Sequence, residues 1–169
     1  MSNFKLNTEQ TESFKYITLI SDGAAKHDRF GICDKEGNPL WYGQFFDSAG
    51  YNGEQSSSEL AAAKKCIWLA GKIREENELD EIGLILKVDA KWLLWANEPM
   101  ANKKGGKAKA LRWMAEKNNV ILSIIHISSA ANPADYYTRN KGFKKWSDND
   151  FSKIIEETSL ELFIKNKGE

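Results

Sequence analysis

Cysteine is scarce in this chain: Cys33 and Cys66 are the only two, and their spacing matches no metal-ligand pattern. Each lies in an apolar stretch, which points to reduced core thiols and away from a disulfide-stapled secreted scaffold. Proline is scarce too, at three residues, and neither internal repeats nor low-complexity segments break the sequence. Charge of one sign is lacking: Lys+Arg and Asp+Glu are both 24, so no net field draws the chain toward nucleic acid. No apolar run approaches the ~20 residues that span a bilayer. Residues 1–14 are polar and hold no signal-peptide core. These absences lead us to expect a cytoplasmic, monomeric protein with no membrane partner.

What is present suits one globular domain, since 169 residues with 41% hydrophobic content can close a single core. The charge that cancels overall is locally clustered. Lys103, Lys104, Lys107, Lys109 and Arg112 form one basic run, and Arg139, Lys141, Lys144 and Lys145 form another. Such clusters permit an anionic partner without requiring one.

A β-rich run from Tyr16 to Ala24 reads as a central strand. Two more strands follow on either side of the turn E-G-N-P, giving an antiparallel meander. The spacing of Ala62, Ala63, Cys66, Ile67, Ala70 and Ile73 predicts a helix, opened by an S-x-x-E capping box of Ser56 and Glu59. Ile82–Val88 and Val120–Ile127 read as strands, with helices near 91–96 and 107–117. Pro133 suits the first position of a further helix. The predicted architecture is an α/β mixed five-stranded sheet, its first three strands antiparallel, with helices on both faces. A flexible arm over 1–14, a domain over 15–142 and a helical C-terminal extension over 143–169 complete the expected organisation.

Four acids occupy unusual places in this order. Asp22 ends the run Y-I-T-L-I-S-D, and Asp89 ends I-G-L-I-L-K-V-D. Glu59 opens the helical stretch S-S-S-E-L-A-A-A, and Asp135 closes H-I-S-S-A-A-N-P-A-D. A carboxylate at the end of a buried strand is costly unless something compensates its charge, and a shared divalent cation is an economical compensation. Each acid also has a structural alternative. Asp22 precedes Gly23 and could serve a turn, and Glu59 could serve its capping box. Asp89 could cap the short helix after it, and Asp135 could answer a helix dipole.

The motifs I-S-D-G-A-A, S-S-S-E-L-A-A-A, L-K-V-D-A-K-W and H-I-S-S-A-A-N-P-A-D-Y-Y-T-R, in this order, resemble the ribonuclease H family over Tyr16 to Gly142. The last of them is most similar to the ribonuclease H domains of retrotransposon reverse transcriptases. The resemblance implies a ribonuclease H-like fold and endonucleolytic hydrolysis of the RNA strand in RNA–DNA hybrids. It makes Asp22, Glu59, Asp89 and Asp135 the catalytic, metal-binding set for two Mg²⁺ ions, with Mn²⁺ as a substitute. Asp22 would bridge both ions, Glu59 and Asp89 would complete one site, and Asp135 would hold the second. Gly23, Gln55, Ser56, Asn132, Lys103, Lys104 and Lys107 would meet the nucleic acid, Gln55 and Ser56 standing where cellular members carry asparagines. Trp92, Trp95 and Trp113 could stack on it or simply pack, while His27 and His126 read as structural.

The chain departs from the family in two respects. The loop before Asp135, S-S-A-A-N, carries no histidine, and the basic extension of cellular members is reduced to K-K-G-G-K-A-K. A reverse transcriptase, a replication partner or a larger polyprotein could supply the missing grip. A non-catalytic module of the same fold and a DNA-directed nuclease stay open as alternatives.

Overall fold

A computed structural model describes residues 13–45, 50–99, 106–139 and 142–165. Strand β1 (Ser13–Ala24) leads through a short 3-10 turn into β2 (Arg29–Asp34) and β3 (Pro39–Gln44). The long helix α1 (Gln55–Glu76) precedes β4 (Ile82–Val88), a 3-10 helix (Lys91–Asn97), α2 (Lys109–Lys117) and β5 (Val120–His126). A 3-10 helix, Pro133–Thr138, comes next, followed by α3 (Asp148–Ile154), β6 (Glu156–Ser159) and α4 (Leu160–Lys165).

The sheet runs β3-β2-β1-β4-β5, with β1–β2 and β2–β3 antiparallel and β4 parallel to both β1 and β5. This is the mixed sheet expected from the order of elements, with one strand more. Tyr16 pairs with Gly83 on one side and Glu156 on the other, so β6 extends the sheet beyond the end of β2. The C-terminal extension is therefore not simply helical, and it is built into the domain. Phe163 packs on Phe14 with ring centroids 5.0 Å apart, and Lys144 exchanges both backbone hydrogen bonds with Tyr42 at 2.9 Å. The expected 1–14 arm overlaps the first residues of β1, and residues 1–12 lie outside those described.

Alternation on the strands separates the two faces. Ile82, Leu84, Leu86 and Val88 of β4, at most 2% exposed, enter the main core beneath α1, as do Leu122 and Ile124 of β5. The small side chains of α1, Ala62, Ala63, Cys66 and Ala70, let the helix lie close to the sheet. On the other face Ile20 and Cys33 pack with Ala134 and Tyr137, so the Pro133–Thr138 helix is a cover over the end of β1. The E-G-N-P turn forms as expected. Asp34 accepts from the amides of Glu36 and Asn38, both at 2.9 Å, and Gly37 takes φ +88°. Among the described residues no helix is long and apolar enough to cross a membrane.

Candidate active site

The parallel register of β1 and β4 brings two of the acids together. The last paired positions are Ile20 and Lys87, and Asp22 and Asp89 each lie two residues further along. The third acid arrives through a close approach. A Cβ on Gly23 would fall 2.2 Å from the Ser58 carbonyl oxygen and 3.0 Å from the Glu59 nitrogen, so α1 meets β1 at a distance only glycine permits. Asp22, Glu59 and Asp89 consequently line one small cleft, walled by Val88 and Leu93. Asp135, in the first turn of the Pro133–Thr138 helix, does not line that cleft and is joined to it through a hydrogen bond with Asp22.

Asp22 is buried, at 9% exposed, and accepts the Gly23 amide at 2.9 Å. Burial, the charge of Asp89 and the hydrogen bond and charge of Asp135 push its carboxyl up to about 8, against the smaller opposing pull of the Gly23 amide. Carboxylates crowded in this way must share a proton or a cation. Among the described residues no three acidic, histidine or cysteine side chains converge closely enough to enclose a cation as they stand. A closed cage is not what Mg²⁺ demands, since it keeps several waters and takes one or two carboxylates together with substrate phosphates. The all-oxygen donor set, its buried member and its open cleft fit that mode of binding.

The capping explanations for two acids do not hold. Helix α1 begins at Gln55 with Glu54 as its N-cap, and no side chain caps it, so Ser56 and Glu59 form no capping box. Instead the helix starts upstream at Gln55, and Ser57 and Ser58 bond back to the carbonyls of Glu54 and Gln55 at 2.8 and 2.6 Å. Glu59 is left free to accept the Trp92 indole N–H at 3.0 Å. Asp89 caps nothing either: the N-cap of the following 3-10 helix is Ala90, without a side-chain bond. Asp135 does occupy a first helical turn, and it also pairs with Arg139 at 3.0 Å.

Asn132 is a hub. At 6% exposed, its Nδ2 donates to Ser21 O at 3.2 Å and to Asp89 Oδ2 at 3.1 Å, while its Oδ1 accepts from the Ala134 amide at 2.9 Å. One side chain thus holds the end of β1, orients Asp89 and caps the helix bearing Asp135. The nucleic-acid contact expected of it would come in addition to these internal bonds. Gln55 is similarly engaged, donating to Gly23 O at 2.7 Å and accepting from the Ala25 amide at 3.0 Å. These two bonds use one of the two Nε2–H donors and one of the two Oε1 lone pairs, so the amide keeps capacity for a 2′-hydroxyl. The Ser56 hydroxyl, half-buried, has no such partner among the described residues.

The first basic run is only partly available. Lys103 and Lys104 lie outside the described residues, and Lys107 is exposed on a short 3-10 turn. Lys109 donates to the carbonyls of Glu98 and Pro99, and Arg112 to Glu116 and the Asn97 carbonyl, so these two brace the loop. Trp95 and Trp113 are exposed at 39% and 54%, and neither lines the cleft. The same is true of His27 and His126. Sequence reasoning overlooked the bonds of Trp92 to Glu59 and of Asn132 to Asp89. Neither bond leaves a signal in local spacing, because the partners lie 33 and 43 residues apart.

No family model and no curated protein matches the chain. Among solved structures it is similar to ribonuclease H1 from the halophilic archaeon Halobacterium salinarum NRC-1, at a TM-score of 0.47 and 16% identity over 72% of this chain and 93% of that one. It is similar also to LC11-RNase H1 in complex with an RNA/DNA hybrid, at 0.46 and 16% over 72% and 92%. Likeness of this degree leaves the chemistry to be read from the site.

Proposed function

We propose that this protein is a metal-dependent endoribonuclease that hydrolyses the RNA strand of RNA–DNA hybrids. The observation that carries the reading is the meeting of Asp22, Glu59 and Asp89 in one cleft with Asp135 hydrogen-bonded to Asp22. Asp22, Glu59 and Asp89 would hold one Mg²⁺ by drawing together around it or through its bound waters, and Asp22 with Asp135 a second. Bound there, the ions would activate a water and neutralise charge on the scissile phosphate and the leaving oxygen. The chain's own part is placement. Gly23 lets Glu59 approach Asp22, while Asn132 and Trp92 fix the orientations of Asp89 and Glu59 by hydrogen bonds. The sequence motifs supply the choice of substrate, and the Ser56 hydroxyl on α1, without a partner among the described residues, would be available to a ribose 2′-hydroxyl.

A non-catalytic binding module is the second reading, favoured by the Arg139 guanidinium that already neutralises Asp135 at 3.0 Å. One experiment separates the two. Labelled RNA–DNA hybrid, double-stranded RNA and single- and double-stranded DNA are offered with Mg²⁺, Mn²⁺ or EDTA to the wild type and to Asp89→Asn. The nuclease reading expects hybrid cleavage alone, lost in EDTA and in the variant. Binding of hybrid with no cleavage under any condition would leave the module.

A further inference from the structure

Among the described residues of the second basic run, Arg139 pairs with an acid of the cluster, and exposed aromatic rings neighbour the run in sequence. Tyr136 directly follows Asp135 and is 62% exposed. It stands edge-on to Tyr137 at 5.1 Å, and Tyr137 packs on Tyr42 of β3 at 4.7 Å. Phe143, 81% exposed, sits over the neighbouring Gly43, where an added Cβ would come within 3.3 Å of its own. The rings are held on a braced base. Lys144 pairs with Tyr42 through the backbone, and the buried Arg29 donates to the carbonyls of Tyr137 and Gly142 at 3.3 and 2.6 Å. Arg139 and Lys145 flank them at the surface.

Two exposed aromatic side chains on a braced support, with Arg139 and Lys145 exposed beside them, offer rings and cations on the same part of the surface. Their chemistry favours nucleic acid, because rings stack on bases while Lys and Arg meet phosphates. A duplex hides its base faces, so rings can stack only where bases are unpaired. On the proposed nuclease reading, we infer that the Tyr136–Phe143 ridge binds unpaired nucleotides of a single-stranded extension flanking the hybrid.

The test uses the full chain in EDTA, so that nothing is cleaved, and fluorescence anisotropy. The probes are a blunt RNA–DNA hybrid and the same hybrid carrying a single-stranded RNA or DNA extension at its 5′ or 3′ end. The wild type binds at least one extended hybrid about 5-fold or more tighter than the blunt one, the lower end of what one stacked base contributes. The double variant Tyr136→Ala/Phe143→Ala loses that advantage, keeps its melting midpoint, and cleaves blunt hybrid in Mg²⁺ as the wild type does. The inference is overturned if no extension improves binding, or if the advantage survives in the double variant. A wild type that cleaves no hybrid in Mg²⁺ is a separate result and overturns the nuclease reading.

Discussion

The Cβ that Gly23 lacks would fall 2.2 Å from the carbonyl oxygen of Ser58, deep inside van der Waals contact. Because that oxygen belongs to the backbone of α1, no rotamer change relieves the clash. Either the helix or the strand must shift, and Glu59 moves with the helix. Gly23→Ala is therefore expected to cost about 1–3 kcal/mol of stability, as overpacked core sites do. Hybrid cleavage should fall further than that loss explains, because Asp22 and Glu59 separate. Urea unfolding beside single-turnover cleavage on the folded fraction checks both; an active, fully stable variant would contradict the close-approach account.

Trp92 holds Glu59 by a single indole N–H at 3.0 Å. Trp92→Phe removes that donor and keeps an aromatic ring in place. We expect a stability change of about 1 kcal/mol and a Mg²⁺ requirement for cleavage raised several-fold, with KM for the hybrid unchanged. A rise in KM alone would instead make Trp92 a substrate contact.

Asp22 sets function against stability. Its carboxyl is buried between Asp89 and Asp135, and the cost of crowding like charges falls on the fold when no cation is present. In EDTA, Asp22→Asn should melt several degrees higher than the wild type, a gain of about 1–2 kcal/mol, while its cleavage activity disappears. Adding Mg²⁺ should raise the melting temperature of the wild type and leave that of Asp22→Asn nearly unmoved. Equal Mg²⁺ effects on the two proteins, read by calorimetry, would place the cation elsewhere.

Acid should loosen the C-terminal segment through Asp150. Burial raises this carboxyl, but bonds from Lys144 at 2.9 Å and from Ser147 outweigh it and hold Asp150 below the usual carboxylate range. A lowered folded value means that the stabilisation is present above the unfolded value and is lost as pH falls through the folded one. Asp150→Asn should thus be less stable than wild type at neutral pH, by at most about 1 kcal/mol for a partly exposed pair. The two should converge in strong acid. A difference that stays constant with pH would assign the effect to packing.

Much of the fold was legible along the chain because its signals are local. Helix periodicity on α1, the turn chemistry of Asp34 and Gly37, and Pro133 at a helix start each follow from neighbours in sequence. The capping box was misplaced for a related reason. Ser56 and Glu59 had the right spacing, yet the helix starts at Gln55, so both already lie within it and neither caps it. A capping box does form at Ser147 and Asp150, where the third residue is an aspartate and the extension was read only as a continuous helix. Strand β6 was missed because E-E-T-S has no apolar alternation; its pairing with Ser13–Tyr16 is a contact made across the whole chain.

The residue types by themselves determined which groups could do chemistry. Asp22 and Asp89 each follow a buried apolar run, Asp22 inside β1 opposite Gly31 and Asp89 one residue past β4. Glu59 shares the helical face of Ala62, Ala63 and Cys66. Only the tertiary structure decided how those acids are held. The parallel register of β1 and β4, the missing Cβ of Gly23 and the three hydrogen bonds of Asn132 join segments up to 111 residues apart. No spacing rule reaches across such distances, for the physical reason that orientation at a site comes from packing and long-range hydrogen bonds, while periodicity reports only the nearest turns.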